Sequence, residues 1–219
     1  MASYPPTLFI PAAEQSGLIL PIGAWVLEAA CAEAAAWEGG QFVAVNMSPP
    51  QFLQPDLCTQ VADVLHRTGL SASRLEIEVT EGLMLGNSDI VLRNMNGLRE
   101  MGVRLALDDF GTGHSSLTYL RRFPFDRIKI DRSFIQNLSR DVESKAIVAS
   151  VLTLGRSLRM SVLAEGVETE GQLDELRAMR CEQVQGYLLG RPMAPEAARE
   201  LAAAGMATKK ALVDGEAAT

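Results

Sequence analysis

Short apolar runs recur along this chain, each ending in or beside a polar residue and each separated from the next by a segment of helical periodicity. The runs read FVAVN, LEIE, VRLALDD, RIKID, SVLAE and QVQGY. Strands alternating with helices of this length build βαβ units, and hence a parallel sheet. The carboxyl ends of parallel strands open on one side. Asn46, Glu78, Asp108, Asp109, Lys129, Glu165 with Glu168, and Gln185 therefore share one mouth. Acids gathered there repel one another unless a cation lies among them. The pattern predicts an α/β fold of barrel type with a metal-dependent site.

The chain places its elements in a regular series. Met1 to Pro6 reads as an unstructured start, followed by a helix over Pro21–Trp37 that Gly39 and Gly40 close. Strands are expected at Phe42–Met47, Leu75–Thr80, Val103–Asp108, Arg127–Ile130, Ser161–Ala164 and Gln183–Leu188. Helices are expected at Asp56–Arg67, Asp89–Met101, Ser116–Arg122, Ser144–Leu158, Glu170–Met179 and Pro195–Ala204. Most of the strands are apolar on both faces, as a helix-covered sheet requires. Only about six strand-helix units appear, whereas a closed barrel needs about eight, so either two strands are missing or the sheet is open and doubly wound. Residues 1–204 form one domain on this reading, and the weakly periodic tail Gly205–Thr219 frays.

Composition narrows the function. A net charge of -7 argues against a surface that tracks long nucleic acids. Cys31, Cys58 and Cys181 lie far apart and form neither a zinc ribbon nor a disulfide framework, which points to a reducing cytoplasm. The longest apolar stretch, Gly17 to Cys31, is interrupted by Pro21 and Glu28 and does not span a bilayer. No basic n-region precedes it, so no signal peptide is expected.

Asp108-Asp109 is the strongest local signal for chemistry. Adjacent strand residues point to opposite faces, so both reach one site only if the strand ends between them. Phe110-Gly111-Thr112-Gly113 would supply that break, and a capping or turn pair is the alternative. Glu76, Glu78 and Thr80 give the LEIEVTE strand a polar face, which points either into the barrel or to solvent at an edge. Lys129, between Ile128 and Ile130, needs a carboxylate or a bound water if it is buried. Asn46 offers a neutral carbonyl, with Ser48 and Gln51 following it. Of Glu165 and Glu168, one reads as a ligand and the other as a loop brace or cap. Gln185 stands beside Gly186, where backbones can approach closely. Of the two histidines, His66 sits on a solvated helix face and His114 in the loop after the aspartates. A set dominated by oxygen donors favours Mg²⁺ or Mn²⁺ over Zn²⁺. Two such ions about 3.5–4 Å apart would suit in-line attack of hydroxide on a phosphodiester. Asp109–Gly111 spells DFG, but no glycine-rich loop or HRD segment precedes it, and no P-loop is present.

The strings FIPAAEQSGLI, VNMSPPQF, LEIEVTEG, DDFGTGHSSLTYLRRFPFDRIKIDRSF, AEGVET and QGYLLGRP resemble, in order and spacing, the EAL domain family over roughly Thr7 to Ala197. The resemblance implies a modified TIM-type barrel, here incomplete, that hydrolyses cyclic di-GMP to linear pGpG with Mg²⁺ or Mn²⁺. It implies Asn46, Glu78 and Asp108 as ligands of one metal and Asp108 with Asp109 as ligands of another. Lys129 is similar to the lysine that orients the attacking water, and Glu165 to an acid serving as ligand or base. Glu81 resembles the glutamate that holds the DDFGTG loop, Gln185 a water-binding glutamine, and Glu168 an acid of the substrate loop or dimer contact. Gln51 and Gly186 are grouped with Gln185 and Glu168 as residues that either bind the substrate or support those that do. A homodimer and a GGDEF or sensor domain in a longer parent are the partners such a domain implies.

Two departures from the family pattern stand out. His114 replaces a usual Tyr. The Glu-Ala-Leu strand that names the family, with its metal-binding Glu, would lie upstream of Phe9 and is not in this sequence, nor is the strand before it, which accounts for the count of six. Loss of that Glu weakens the metal site, so the alternative reading is a catalytically inactive module that binds cyclic di-GMP or a protein partner.

Overall fold

The chain's computed structural model describes residues 6–85, 88–111 and 117–204. Two helices lead, α1 (Pro6–Ser16) and α2 (Ile19–Ala35), followed by β1 (Val43–Asn46), α3 (Pro49–Phe52) and α4 (Leu57–Thr68). Then come β2 (Leu75–Thr80), α5 (Ser88–Glu100), β3 (Arg104–Phe110), α6 (Leu117–Arg122), β4 (Arg127–Ile130) and α7 (Arg132–Gln136). The series ends with α8 (Val142–Leu158), β5 (Ser161–Ala164), α9 (Glu170–Ala178), β6 (Gln183–Val184) and a last helix, α10, over 195–204.

Local chemistry sets several boundaries. Gly69 closes α4 in the left-handed region at φ 71°, with His66 and Arg67 in the last turn. Asp141 caps α8 by accepting from the Glu143 and Ser144 amides. Thr169 and Gln172 form a capping box at α9.

All pairings are parallel and the order is β1-β2-β3-β4-β5-β6, a curled sheet that is part of a TIM-type barrel, as expected. The expectation of strands apolar on both faces fails on the inside of the curl. Leu75, Ile77, Val79, Leu105, Leu107, Ile128 and Ile130 are all buried, and alternation turns them toward the helices. Glu76, Glu78, Asp108, Arg127 and Lys129 are buried on the inner face. The apolar core lies between sheet and helices, and the inside of the curl is ionic.

Among the described residues, β1 and β6 are the sheet's edges. The chain joins the two sides with a helix. From α10, Arg199 makes two bonds of 2.5 and 2.6 Å to Glu33 of α2, and the Ala202 carbonyl accepts from Gln41 at 3.0 Å.

Four differences from the sequence reading have physical causes. Pro6 opens a helix, suiting a first helical turn where its missing N–H is not needed, and α7 is an additional short helix capped by Asp131. β3 runs on through Phe110 where an end at Asp108 was expected. β6 stops at Val184, because Gly186 brings the chain against Val167 and a turn follows at Gly186–Gly190. Met1–Pro5 of the expected loose start, the 205–219 tail and Thr112–Ser116, which contain His114, lie outside the described residues. No single helix among the described residues is long and apolar enough to cross a membrane.

Candidate active site

Lys129 is the centre of the inner face. It is 3% exposed, and its Nζ lies 2.7 Å from Glu78 Oε2, 2.8 Å from Glu165 Oε1 and 3.0 Å from Asp108 Oδ1. Burial alone would lower the pKa of the ammonium, but Glu78, Asp108 and Glu165 outweigh it and raise it above its ordinary value. Lys129 is therefore a permanent cation under ordinary conditions. The three acids arrive from β2, β3 and the loop after β5, so packing of the whole sheet is needed to assemble them.

Asp109 joins this group through the backbone. Leu107 pairs with Ile128 and Phe110 with Ile130, so two residues of β3 face one residue of β4. This is a β-bulge, and Asp109 takes φ 54° within it. The strand does not end between the aspartates, as the sequence reading required; it bulges, and both side chains reach one side. Aspartate tolerates the left-handed region better than most residues. Burial, then Asp108 and Asp131, hold the Asp109 carboxyl above its ordinary value against the pull of Lys129. Burial likewise raises Glu165, with Lys129 opposing.

Ligand oxygens of Asp108, Asp109 and Glu165 can lie within 4.8 Å of one another. An oxygen-only set of this span suits a hard divalent cation, and the Lys129 ammonium among the acids shows that the pocket already accommodates positive charge. Asn46 stands in register with Glu78 on the neighbouring strand and therefore shares its face. Both line a cleft of about 570 Å³ with Thr80, Ser48 and Gln51, walled on one side by Ile19, Ile22 and Val26.

The remaining candidates sit further out. The Gln51 side chain accepts from the Ser48 amide and hydroxyl at 3.2 and 3.0 Å and packs so tightly on Gly23 that a Cβ there would overlap it. It braces the turn after β1. Glu81 opens the 3-10 turn that follows β2 and is half-buried. Glu168 is exposed, and its amide donates to Gln172 Oε1 at 2.8 Å; Thr169 is the helix cap. Gln185 is exposed, and its backbone continues the ladder to Ala164 and Val167. A Cβ on Gly186 would lie 2.1 Å from the Val167 carbonyl oxygen, which holds the loops after β5 and β6 together.

Three residues went unassigned in the sequence reading. Asp131, two positions after Lys129, faces Asp109 and accepts from the Ser133 amide at 2.9 Å. The Asp-x-Ser spacing at a strand end is the signal for it. Glu76 and Arg127 pair at 2.5 Å below Lys129; both stand two residues before a site residue, which is the strand period.

The EAL domain pattern matches residues 2–192. The chain belongs to the EAL domain family. This EAL domain is 54% identical over 188 residues to an uncharacterized signaling protein of Caulobacter vibrioides, covering 86% of this chain and 23% of that protein. It is 45% identical over 195 residues to the bifunctional diguanylate cyclase/cyclic di-GMP phosphodiesterase MucR of Pseudomonas aeruginosa, covering 87% of this chain and 28% of that protein. The chain thus spans about a quarter of the length of these curated relatives. The structure of the PaMucR phosphodiesterase in complex with c-di-GMP superposes with a TM-score of 0.83 at 44% identity, over 88% of this chain and 79% of that one. A manganese/cyclic di-GMP complex of Klebsiella pneumoniae BlrP1 gives 0.77 at 32% identity, over 88% of this chain and 49% of that one.

Proposed function

We propose that this EAL domain is a metal-dependent phosphodiesterase that hydrolyses cyclic di-GMP to linear pGpG. The observation that carries the reading is the Lys129 ammonium held by Glu78, Asp108 and Glu165 at the mouth of the sheet, in a fold shared with phosphodiesterases bound to that nucleotide. Asn46, Glu78, Asp108, Asp109 and Glu165 would hold two divalent cations, Mg²⁺ or Mn²⁺. When bound, such ions acidify water and neutralise the charge that develops on a phosphoryl group.

The chain's own residues supply the rest. Lys129 donates to the attacking water and orients it. Glu165, 2.8 Å from the Lys129 ammonium, would take up the proton that water loses as its oxygen bonds to phosphorus. The phosphorus–oxygen bond to one ribose then breaks, and that oxygen takes a proton from solvent water and leaves as the alcohol. By its likeness to the family, Glu81 would serve the DDFGTG segment, and Gln51, Gln185, Glu168 and Gly186 would shape the rim around the nucleotide. The module would work inside a longer signalling protein in the cytoplasm, where its three free cysteines stay reduced.

The experiment is incubation of the 219-residue protein with cyclic di-GMP and Mn²⁺, with pGpG followed by chromatography and a chelated control. Metal-dependent pGpG, abolished in Asp108→Ala, is expected; turnover retained by Asp108→Ala sinks the metal assignment. One observation favours a second reading. Lys129 itself bonds three of the acids, an arrangement that suits a receptor, and binding of cyclic di-GMP without turnover would select it.

A further inference from the structure

Two ion pairs cross the inner face with the same offset. Lys129 to Glu78 and Arg127 to Glu76 each join β4 to β2 over the intervening β3, and each spans 51 positions of sequence. Ala106 of β3 lies in register with Glu78 on one side and Arg127 on the other, and its small side chain leaves room for the crossing.

The lower pair does not reach the mouth. The Glu76 and Arg127 side chains are 1% and 6% exposed. Arg127 Nε also donates to Ser161 Oγ of β5 at 3.2 Å, and its guanidinium lies 5.0 Å from the Phe42 ring that leads into β1. Arg104 of β3 stacks on the same ring at 4.3 Å. One arginine thus ties together β2, β4, β5 and the entrance to β1.

Stability alone does not account for such a pair. Two buried charges lose their hydration, and hydrophobic side chains of similar volume commonly pack as well or better in their place. A hydrophobic pair would not, however, set the spacing and register of β2 against β4. Those strands carry Glu78 and Lys129 two residues further along the same face.

We propose that Glu76 and Arg127 are positioning residues for Lys129, a lower rung that holds its Nζ among the three acids. The inference rests on the reading of Lys129 as the residue that orients the attacking water. Glu76 and Arg127 touch neither substrate nor metal and act through the upper pair.

The test compares wild type with the double variant Glu76→Met/Arg127→Met and with Arg127→Lys. Lys129 is one of four lysines in the chain, so its ammonium resonance in ¹⁵N-lysine spectra is assigned by its loss in Lys129→Met. The double variant is expected to melt at or above the wild-type temperature, yet to shift or lose that resonance. Its Mn²⁺ affinity should fall about fivefold, and its kcat about tenfold with KM within about twofold, as expected for lost orientation rather than lost binding. Arg127→Lys keeps the charge but cannot reach Glu76 and Ser161 together, and should give an intermediate shift. A folded double variant with an unchanged Lys129 resonance and unchanged Mn²⁺ affinity overturns the proposal. If the double variant does not fold, an unchanged resonance in Arg127→Lys overturns it. Absence of hydrolysis in the wild type would remove the phosphodiesterase reading, while the resonance still decides this one.

Discussion

Lys129 balances more charge than any other side chain of the site. Three carboxylate oxygens lie within 3.0 Å of its Nζ, so its removal leaves buried acids facing one another. Lys129→Met is expected to lower unfolding free energy by about 3–5 kcal/mol, the usual cost of breaking a buried pair from one side; urea titration measures it. Added Mn²⁺ should recover part of that loss. Asp109 and Glu165 act in the opposite sense. Burial holds both above their ordinary values of 3.8 and 4.5, so in the window between those values and the raised ones the folded state binds more protons than the unfolded. Their contribution is fully present below the ordinary values and is lost as pH rises through the raised ones. Metal-free stability should therefore decline with rising pH in that window. Asp109→Asn, which keeps a residue tolerant of φ 54°, should flatten the slope and raise metal-free stability at neutral pH. Unfolding curves taken across pH test this, and a slope equal to wild type would refute it.

At the scale of elements, the bulge in β3 and the small residue before it make the site possible. Ala106 is fully buried between Glu78 and Arg127, and Ala106→Leu would push branched carbon into the crossing of the two ion pairs. Overpacking of this kind costs about 1–3 kcal/mol, and here it should also abolish metal binding, as calorimetry would show. The loop that carries Glu165 is held from its far end by the capping box of α9. Thr169→Ala removes the oxygen that accepts from the Gln172 amide and should cost about 1 kcal/mol, with a smaller loss of activity than Lys129→Met. Equal stability in Thr169→Ala and wild type would show the cap to be idle.

For the whole molecule, the curl of the sheet decides which groups meet. Six parallel strands bend far enough for residues of β1, β2, β3, β4 and the β5 loop to face one space, and α10 ties the β6 side back to α2. A metal that binds only this folded arrangement must stabilise it by mass action, by about 2.7 kcal/mol when present at a hundred times its dissociation constant. Thermal melting with Mn²⁺, with and without chelator, should show a saturable rise that Asp108→Ala lacks. A melting curve insensitive to Mn²⁺ would leave the acids to Lys129 alone.

Much of this was legible in the amino-acid order. The alternation of strand and helix, the parallel sheet and the placing of Asn46, Glu78, Asp108, Lys129 and Glu165 at strand ends all follow from periods that each segment carries within itself. The polar face of LEIEVTE was equally plain, though whether it met solvent or the inside of a barrel was not. Other features depended on neighbours that no single segment contains. The bulge that turns Asp109 toward Lys129 arises from pairing of β3 with β4, two strands whose mismatch appears only when they are laid side by side. The Glu76–Arg127 rung joins residues 51 positions apart, and the early end of β6 comes from contact of Gly186 with Val167. Sequence alone determined the fold class and the identity of the acids, because hydrophobic period and residue chemistry are local. Only the tertiary structure decided that Lys129 is buried and bonded to three of those acids at once, because its position is set by the packing of three separate segments around one ammonium.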